Sequence, residues 1–224
     1  MKRFLRDNSL TLAFGAGFLV TLLGQAVSGW QFFNSQQRAQ GGEALPFLRY
    51  LSSSEFAVDV VENWQSEYLQ FFLFIIATVW LVQRGSTQSK KVDEVGIESD
   101  REQRLGRYAT AHSPLWARIG GIRTAIYSRS LGLLMGTIFL LCWLAQSIAG
   151  RAAFNAEQLA NRSEPVSWVG YLGTAEFWNR TLQNWQSELL AVASIAAFSI
   201  YLRQRGSPES KPVGAPHDAT AVEG

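Results

Sequence analysis

The chain has 224 residues, of which 47% are hydrophobic and 17% charged, with a formal net charge of +2. This balance alone would fit one soluble domain, and so small a charge gives no reason to expect a nucleic-acid partner. The apolar residues, however, lie in four blocks, two of which lack Asp, Glu, Lys and Arg for twenty residues or more. A helix needs roughly 20 apolar residues to cross a bilayer. The pattern therefore predicts a membrane protein, with the lipid bilayer as a partner.

The apolar blocks belong to an internal repeat. The sequence Asn-Trp-Gln-Ser-Glu occurs at residues 63–67 and again at residues 184–188, 121 positions later. With that offset and no gap, 31 of the 83 pairs between residues 8–90 and 129–211 are identical. Self-similarity at a fixed offset over this length indicates a tandem duplication.

Each repeat is predicted to be a hairpin of two helices. The apolar blocks are residues 10–33 and 68–82 in the first repeat, and residues 131–150 and 189–202 in the second. They are too long for strands and lack alternation. Ser53 and Thr174, which the offset pairs, are predicted to cap the second helix of each hairpin. The predicted fold class is all-α, an integral membrane protein with four transmembrane helices in two parallel helical-hairpin repeats.

The chain divides into four predicted regions. Residues 1–90 form the first transmembrane hairpin repeat, residues 91–112 a charged cytoplasmic linker, and residues 113–206 an interfacial helix with the second hairpin repeat. Ser113 and Pro114 are predicted to start the interfacial helix, which lies on the inner membrane surface or, alternatively, docks on the loops. Residues 207–224, with three prolines and no apolar periodicity, are predicted to be a disordered tail.

The positions of the cations predict the orientation. If both termini are cytoplasmic, the inner segments hold 15 Lys and Arg residues and the outer loops hold five. The positive-inside rule then favours a multi-pass protein of the cell inner membrane with both termini in the cytoplasm. The competing interpretation of the N-terminus is a cleaved secretory signal. Its internal counterpart, residues 131–150, cannot be a leader, so we expect the first helix to be retained.

A cluster of polar side chains is predicted near the outer membrane interface. The uncharged run of the second helix in each repeat is too short to cross the bilayer, so that helix must include the turns before it. The candidate polar cluster consists of Gln25, Asn63 and Glu67 in the first repeat and Gln146, Asn184 and Glu188 in the second. These residues form either a structural clamp between helices, which we favour, or paired sites for a cation or small polar solute.

Side chains suited to chemistry are scarce elsewhere. Cys142 lies in an apolar block, and the two histidines, His112 and His217, lie in polar segments. They supply neither a set of metal ligands nor a nucleophile with a neighbouring base. We therefore expect no catalytic residue, no metal site and no bound cofactor, and we expect that the protein is not an enzyme.

One stretch of the second repeat carries a family resemblance. Residues 185–188, Trp-Gln-Ser-Glu, and residues 201–212, Tyr-Leu-Arg-Gln-Arg-Gly-Ser-Pro-Glu-Ser-Lys-Pro, resemble a family of small uncharacterised bacterial membrane proteins with a domain of unknown function. The resemblance covers nearly the whole chain and implies a bacterial inner-membrane setting, with no activity, substrate or cofactor. The first repeat departs from the motif at Thr87 and Gln88, where the second has Pro208 and Glu209.

Two classes of function remain. We expect a structural or partner-binding membrane protein whose aromatic extracytoplasmic loops contact another membrane protein or lipid. The alternative is a small transporter or channel-like protein that uses the paired glutamates, Glu67 and Glu188. Because four helices make a narrow bundle, a central pathway would require a homo-oligomer.

Overall fold

The computed structural model describes residues 2–222, and every regular element in that range is helical, with no strand. The all-α prediction is therefore confirmed. The α-helices in that range are Lys2–Asp7 (α1), Ser9–Ala39 (α2), Phe47–Leu51 (α3), Ser54–Trp80 (α4), Leu115–Arg118 (α5), Gly121–Tyr127 (α6), Ser130–Ala160 (α7), Trp168–Leu172 (α8) and Ala175–Tyr201 (α9). A short 3₁₀ turn covers Gly106–Tyr108.

The first helix of each repeat is long enough and apolar enough to cross a membrane. Helices α2 and α7 have 31 residues each, and their most apolar windows have mean hydropathies of 1.8 and 1.9. Among the described residues, these two helices alone pass that test of length and composition, against the four spans predicted. Helix α4 does not pass it because Asn63, Gln65 and Glu67 interrupt its apolar run.

The second helix of each repeat begins at the predicted cap. The backbone N–H of Phe56 donates to Ser53 Oγ over 3.3 Å, and that of Phe177 donates to Thr174 Oγ1 over 3.2 Å. Both N-cap predictions are confirmed. Each cap starts a helix of 27 residues, and at 1.5 Å per residue such a helix is roughly 40 Å long.

The predicted interfacial helix is divided into two short helices. Helix α5 ends at Arg118, and α6 starts at Gly121. Between them Gly120 and Gly121 have φ values of 75° and 68°, in the left-handed region that glycine adopts at little cost. Ser113 does not cap α5, because Pro114 takes the N-cap position without a side-chain hydrogen bond.

Residues 207–222 belong to the segment predicted to be a disordered tail. Its residues up to 222 form turns, and the side chain of Lys211 is 1% exposed. The contacts that hold these turns are polar, so a search for apolar periodicity does not reveal them. Residues 223 and 224, also part of the predicted tail, lie outside the described residues.

The chain forms two compact units, and both contain parts of the two repeats. The first unit consists of Met1–Val60 and Gln146–Trp168, and the second of Val61–Ala145 and Val169–Gly224, in each case as far as the residues are described. The boundaries fall within α4, α7 and α8.

Candidate functional site

In the first unit, an asparagine closes the loop that follows the first helix of each repeat. Asn34 Nδ2 donates to the carbonyl of Leu45 over 3.0 Å, and the N–H of Leu45 donates back to Asn34 Oδ1 over 2.8 Å. Asn155 and Val166 repeat this pair of bonds at 3.0 and 2.8 Å. An amide side chain can do this because it carries both donors and an acceptor. The two loops are therefore fixed to the ends of α2 and α7 in the same way.

A second donor reaches the same carbonyl in each loop. Trp30 Nε1 donates to the carbonyl of Leu45 over 2.6 Å, and Arg151 Nε donates to that of Val166 over 3.1 Å. Trp30 and Arg151 are paired by the repeat offset although their side chains differ. The paired carbonyls of the two loops therefore accept a second hydrogen bond from different side chains.

The short helix after each loop has a tyrosine on its buried side. Tyr50 in α3 is 2% exposed, and its ring lies 5.5 Å from that of Phe56. Tyr171 in α8 is fully buried, and its ring lies 5.6 Å from that of Phe177. A Cβ atom added to Gly29 would overlap Tyr50 Oη, which explains the small residue there.

Burial changes the acidity of both phenols. Loss of solvent raises the pKa of Tyr171 to about 12, and the negative charge of Glu176 adds to the effect. Burial also raises the pKa of Tyr50, with further contributions from Asp59 and Glu55. Both hydroxyls therefore stay protonated at neutral pH.

The opposite side of each short helix is apolar and exposed. Leu48 of α3 is 78% exposed and Val169 of α8 is 73% exposed. The repeat offset pairs these two residues as well. Each loop therefore presents one large apolar side chain outward from a helix that its tyrosine anchors.

In the second unit, the buried face of α4 is polar. Glu62, Gln65 and Ser66 have exposures of 8%, 0% and 1%, and Leu69 continues the same face at 7%. Residues three and four apart share one side of a helix, so this is a continuous stripe. The sequence analysis missed Glu62 and Gln65, although their spacing from the buried Leu69 is the signal that could have identified them.

Three polar contacts join α4 to α9 along this stripe. Arg180 Nη1 donates to Glu62 Oε2 over 3.0 Å, Trp185 Nε1 to Gln65 Oε1 over 2.8 Å, and Gln70 Nε2 to the carbonyl of Glu188 over 3.2 Å. Their sequence separations are 118, 120 and 118. A nearly constant separation means that the contacting parts of the two helices run in the same direction.

The ion pair in this set joins two positions at which the repeats differ. Arg180 occupies the position that Asp59 holds in the first repeat, and the counterpart of Glu62 is Gln183. The side chains of Arg180 and Glu62 are 30% and 11% exposed, and Arg180 also contacts Glu176 at 3.4 Å. The pair is therefore partly desolvated, which increases the cost of removing either partner.

Aromatic rings from α7 and α9 pack beside Gln65. The ring of Trp143 lies 5.6 Å from that of Trp185, 5.7 Å from that of Phe139 and 6.2 Å from that of Phe177. Among the described residues, neither Gln65 Nε2 nor Trp143 Nε1 has a hydrogen-bond partner, although both atoms are buried. The second repeat alone has a tryptophan here, because Leu22 is the counterpart of Trp143.

Two glycines of α7 allow close contact with α4. A Cβ atom at Gly132 would lie 3.1 Å from Ile76 Cδ1, and one at Gly136 would lie 2.9 Å from Phe72 Cε2. The residue number rises by four on α7 as it falls by four on α4, so the helices are antiparallel here. Small residues with this spacing commonly permit such approach between helices.

At the other end of each repeat, the segment after the second helix folds in the same way. The N–H of Gln83 donates to Ser89 Oγ, and the N–H of Gln204 donates to Ser210 Oγ, both over 2.8 Å. Lys90 Nζ then donates to the carbonyl of Gly96, and Lys211 Nζ to that of His217, again both over 2.8 Å. The structural repeat thus extends through residues 96 and 217.

The two segments also contact each other around Lys211. Besides the His217 carbonyl, its amine donates to the carbonyls of Gly85, Ala219 and Pro216 over 2.7, 3.1 and 3.3 Å. Burial lowers the pKa of this amine, and the positive charge of Arg203 adds to the effect. Lys211 therefore joins the end of the chain to the first repeat.

An open groove of about 400 Å³ adjoins these segments. Its charged lining residues are Arg84, Lys91, Asp93 and Asp218. Val92 and Val222, which are 48% and 37% exposed, supply apolar surface at the same groove. Two cations and two anions therefore line the groove, and Lys91 also forms an ion pair at 3.0 Å with Glu94.

The predicted polar cluster is distributed over both units. Gln25 is half-buried and Gln146 is fully buried, and both belong to the first unit. Asn63, Glu67, Asn184 and Glu188 belong to the second unit. Asn63 and Glu67 are exposed, whereas Asn184 and Glu188 are half-buried. No group of three or more His, Cys, Asp and Glu residues that could hold a metal occurs between residues 2 and 222.

The comparison with protein families matches the whole described chain. The model of a domain of unknown function, DUF6766, matches residues 1–222. The chain belongs to this family. Membership in DUF6766 confirms the expected relation to an uncharacterised family and assigns no activity. No curated protein and no solved structure matches the chain.

Proposed function

We propose that this DUF6766 protein is a multi-pass inner-membrane protein that binds a protein partner through its two extracytoplasmic loops. Its four long helices would cross the membrane as two parallel hairpin repeats, with both termini in the cytoplasm. The observation that carries the proposal is that α2 and α7 are strongly apolar while only 6% and 22% of their most apolar windows are buried. A core helix of a soluble protein would be mostly buried, whereas lipid covers the exposed side chains of a spanning helix.

The contacts of α4 and α9 support the parallel arrangement. Two hairpins that enter the membrane from the same side place their second helices in the same direction. The contacts from Glu62 to Arg180 and from Gln70 to Glu188 have this pattern. The later part of α4 also has exposed apolar side chains, including Phe71 and Ile76, which suits a lipid-facing surface.

The loop geometry supports partner binding. Leu48 and Val169 project from short helices whose tyrosines and asparagine-closed loops are already fixed. A surface held in place before binding loses little conformational entropy on association. Two such side chains at paired positions fit another membrane protein or a second copy of the chain.

Membrane insertion and orientation are tested first. The full chain should remain in the membrane fraction after alkaline carbonate extraction. A reporter fused behind the last residue should be active on the cytoplasmic side, and one inserted near Gly42 should be active outside. Release by carbonate, or the reverse orientation of the reporters, would refute this part of the proposal.

Partner binding is tested with photo-crosslinking residues at Leu48 and Val169 in intact cells. We expect both positions to give the same discrete protein adduct. Glu43 is the control, because it is exposed in the same loop but is not apolar. If Leu48 and Val169 form adducts with lipid alone, the loops rest on the bilayer and do not bind a protein.

A further inference from the structure

We propose that the groove between Arg84, Lys91, Asp93 and Asp218 binds the headgroup of a zwitterionic phospholipid, a phosphate ester that also carries an ammonium group. The inference rests on the membrane location argued above. Arg84 and Lys91 would bind the phosphate, with Lys91 exchanging its 3.0 Å contact with Glu94, and Asp93 and Asp218 would bind the ammonium. A ligand that is only negative would be repelled by the two aspartates, and a ligand that is only positive would be repelled by Arg84 and Lys91. A ligand with both charges avoids this repulsion.

The size of the groove fits a headgroup. Small-ligand pockets have volumes of roughly 300–1,000 Å³, and about 400 Å³ lies near the lower end of that range. The open side would let acyl chains leave the groove. Val92 and Val222 give those chains an apolar surface beside the charged residues.

The position in the chain places the groove near the membrane interface. Arg84 follows the last residue of α4, Trp80, by four positions, and Trp80 and Leu81 are 56% and 69% exposed. Exposed tryptophan next to a basic residue is typical of the boundary between hydrocarbon and headgroups. Lipid headgroups would therefore lie at the depth of the groove.

One wall of the groove is held in place by hydrogen bonds. Lys211 Nζ donates to the carbonyl of Ala219, Gly85 N donates to Thr220 Oγ1 over 2.8 Å, and Ala221 N donates to the carbonyl of Ser86 over 3.1 Å. These bonds fix the backbone on both sides of Thr220, next to Asp218. The charged side chain of Asp218 thus lies beside a hydrogen-bonded backbone.

The test uses the full chain in phosphatidylcholine nanodiscs that contain equal minor amounts of phosphatidylethanolamine and phosphatidylglycerol. The protein is then released from the nanodiscs, and native mass spectrometry measures the lipids that remain bound to it. We expect zwitterionic phosphatidylethanolamine to be retained in preference to anionic phosphatidylglycerol, which is present in the same amount. Asp218→Asn and Lys91→Gln should each lower that preference by about two- to fivefold, as for partly exposed ion pairs.

Asp100→Asn and Arg101→Gln are the matched controls, because these residues do not line the groove. Lys91→Gln also guards against misfolding, since Lys91 takes no part in the bonds around Lys211. Tryptophan fluorescence melting confirms that each variant is folded. Equal retention of all lipids, preference for phosphatidylglycerol, or equal losses in controls and groove variants would overturn the proposal.

A soluble ligand with the same chemistry is tested separately. Free phosphoethanolamine is added to the protein in detergent. If phosphoethanolamine displaces bound lipid only at concentrations far above that of the lipid, the result supports a membrane lipid as the ligand. Tight binding of free phosphoethanolamine overturns that assignment. If the chain fails the carbonate extraction, the proposed function is wrong. If it passes extraction but shows no headgroup preference, this inference alone is wrong.

Discussion

Arg180 and Glu62 form an ion pair at 3.0 Å for which the repeat pattern supplies no second copy. Arg180 in the second repeat stands opposite the acidic Asp59 of the first, and Gln183 stands opposite Glu62. The surfaces of α4 and α9 that meet therefore carry different residues. Such a contact favours packing of α4 on α9 within one chain over packing of either helix on the same helix of a second copy.

Substitution of either partner tests this pair. We expect Arg180→Gln or Glu62→Gln to lower the free energy of unfolding by about 1–3 kcal/mol, because Arg180 is partly exposed and water screens part of the loss. The measurement is unfolding in mixed micelles, followed by tryptophan fluorescence. The double variant Glu62→Arg with Arg180→Glu reverses the pair and should recover part of the stability that the single substitutions lose. Glu176→Gln is the control and should cost much less.

The hydrogen bond between Trp185 and Gln65 predicts a non-additive pair of mutations. Trp185→Phe leaves the buried Gln65 oxygen without its donor and should cost about 1–3 kcal/mol. Adding Gln65→Leu removes the stranded amide, so the double variant should be more stable than Trp185→Phe alone. The exposed counterpart, Gln186→Leu, should be neutral. A double variant whose loss equals the sum of the single losses would contradict this account.

The close contact at Gly136 predicts opposite outcomes for paired glycines. Gly136→Leu should lower the stability by about 1–3 kcal/mol, because the ring of Phe72 leaves no room for the side chain. At its repeat counterpart, Gly15, a Cβ atom would meet no described atom within 4 Å, so Gly15→Leu should be neutral or stabilising. Thermal melting in detergent compares them, and equal losses would show that the contact is not specific.

The raised pKa of Tyr171 predicts a loss of stability at alkaline pH. Below pH 10 the phenol is protonated in both the folded and the unfolded chain, so its contribution is constant. Between pH 10 and about 12 the unfolded chain ionises first, and stability falls as the pH rises. Tyr171→Phe should weaken this alkaline loss. Phenolate absorbance with parallel unfolding measurements checks the result, and an unchanged pH profile in the variant would refute it.

Glu67→Gln and Glu188→Gln separate the clamp from the transport alternative. We expect little change in melting temperature, because glutamine keeps the hydrogen-bonding capacity and Glu67 is exposed. The exposed Glu157→Gln is the control for loss of charge. A cation-dependent rise in melting temperature that is present in the original chain and lost in both variants would instead favour transport.

The sequence predicts the features of this fold that depend on local chemistry. The caps at Ser53 and Thr174 follow from residue type and the start of the helix, and they occur as expected. The buried stripe through Glu62 and Gln65 does not follow in this way, because the side that packs is set by neighbouring helices. The polar side chains of Asn63 and Glu67, which share one helix face, gave no information about that choice.

The contacts around Lys211 show a second limit of sequence reasoning. The turns after α9 contain proline and polar residues, a composition typical of disorder. Their order comes from one buried amine and backbone carbonyls that are distant in sequence, such as that of Gly85. Carbonyl groups occur at every residue, so nothing in the composition marks the ones that this amine binds.

The four carbonyl oxygens around Lys211 resemble the shell that protein oxygens offer to a potassium ion, with a covalently attached charge at the centre. Because this charge belongs to a lysine side chain, it is not lost when salt is diluted or a chelator is added. Acetylation would remove the charge and add bulk at the crowded centre. We therefore expect the attachment of residues 216–219 to be insensitive to ion concentration and sensitive to covalent change at a single nitrogen.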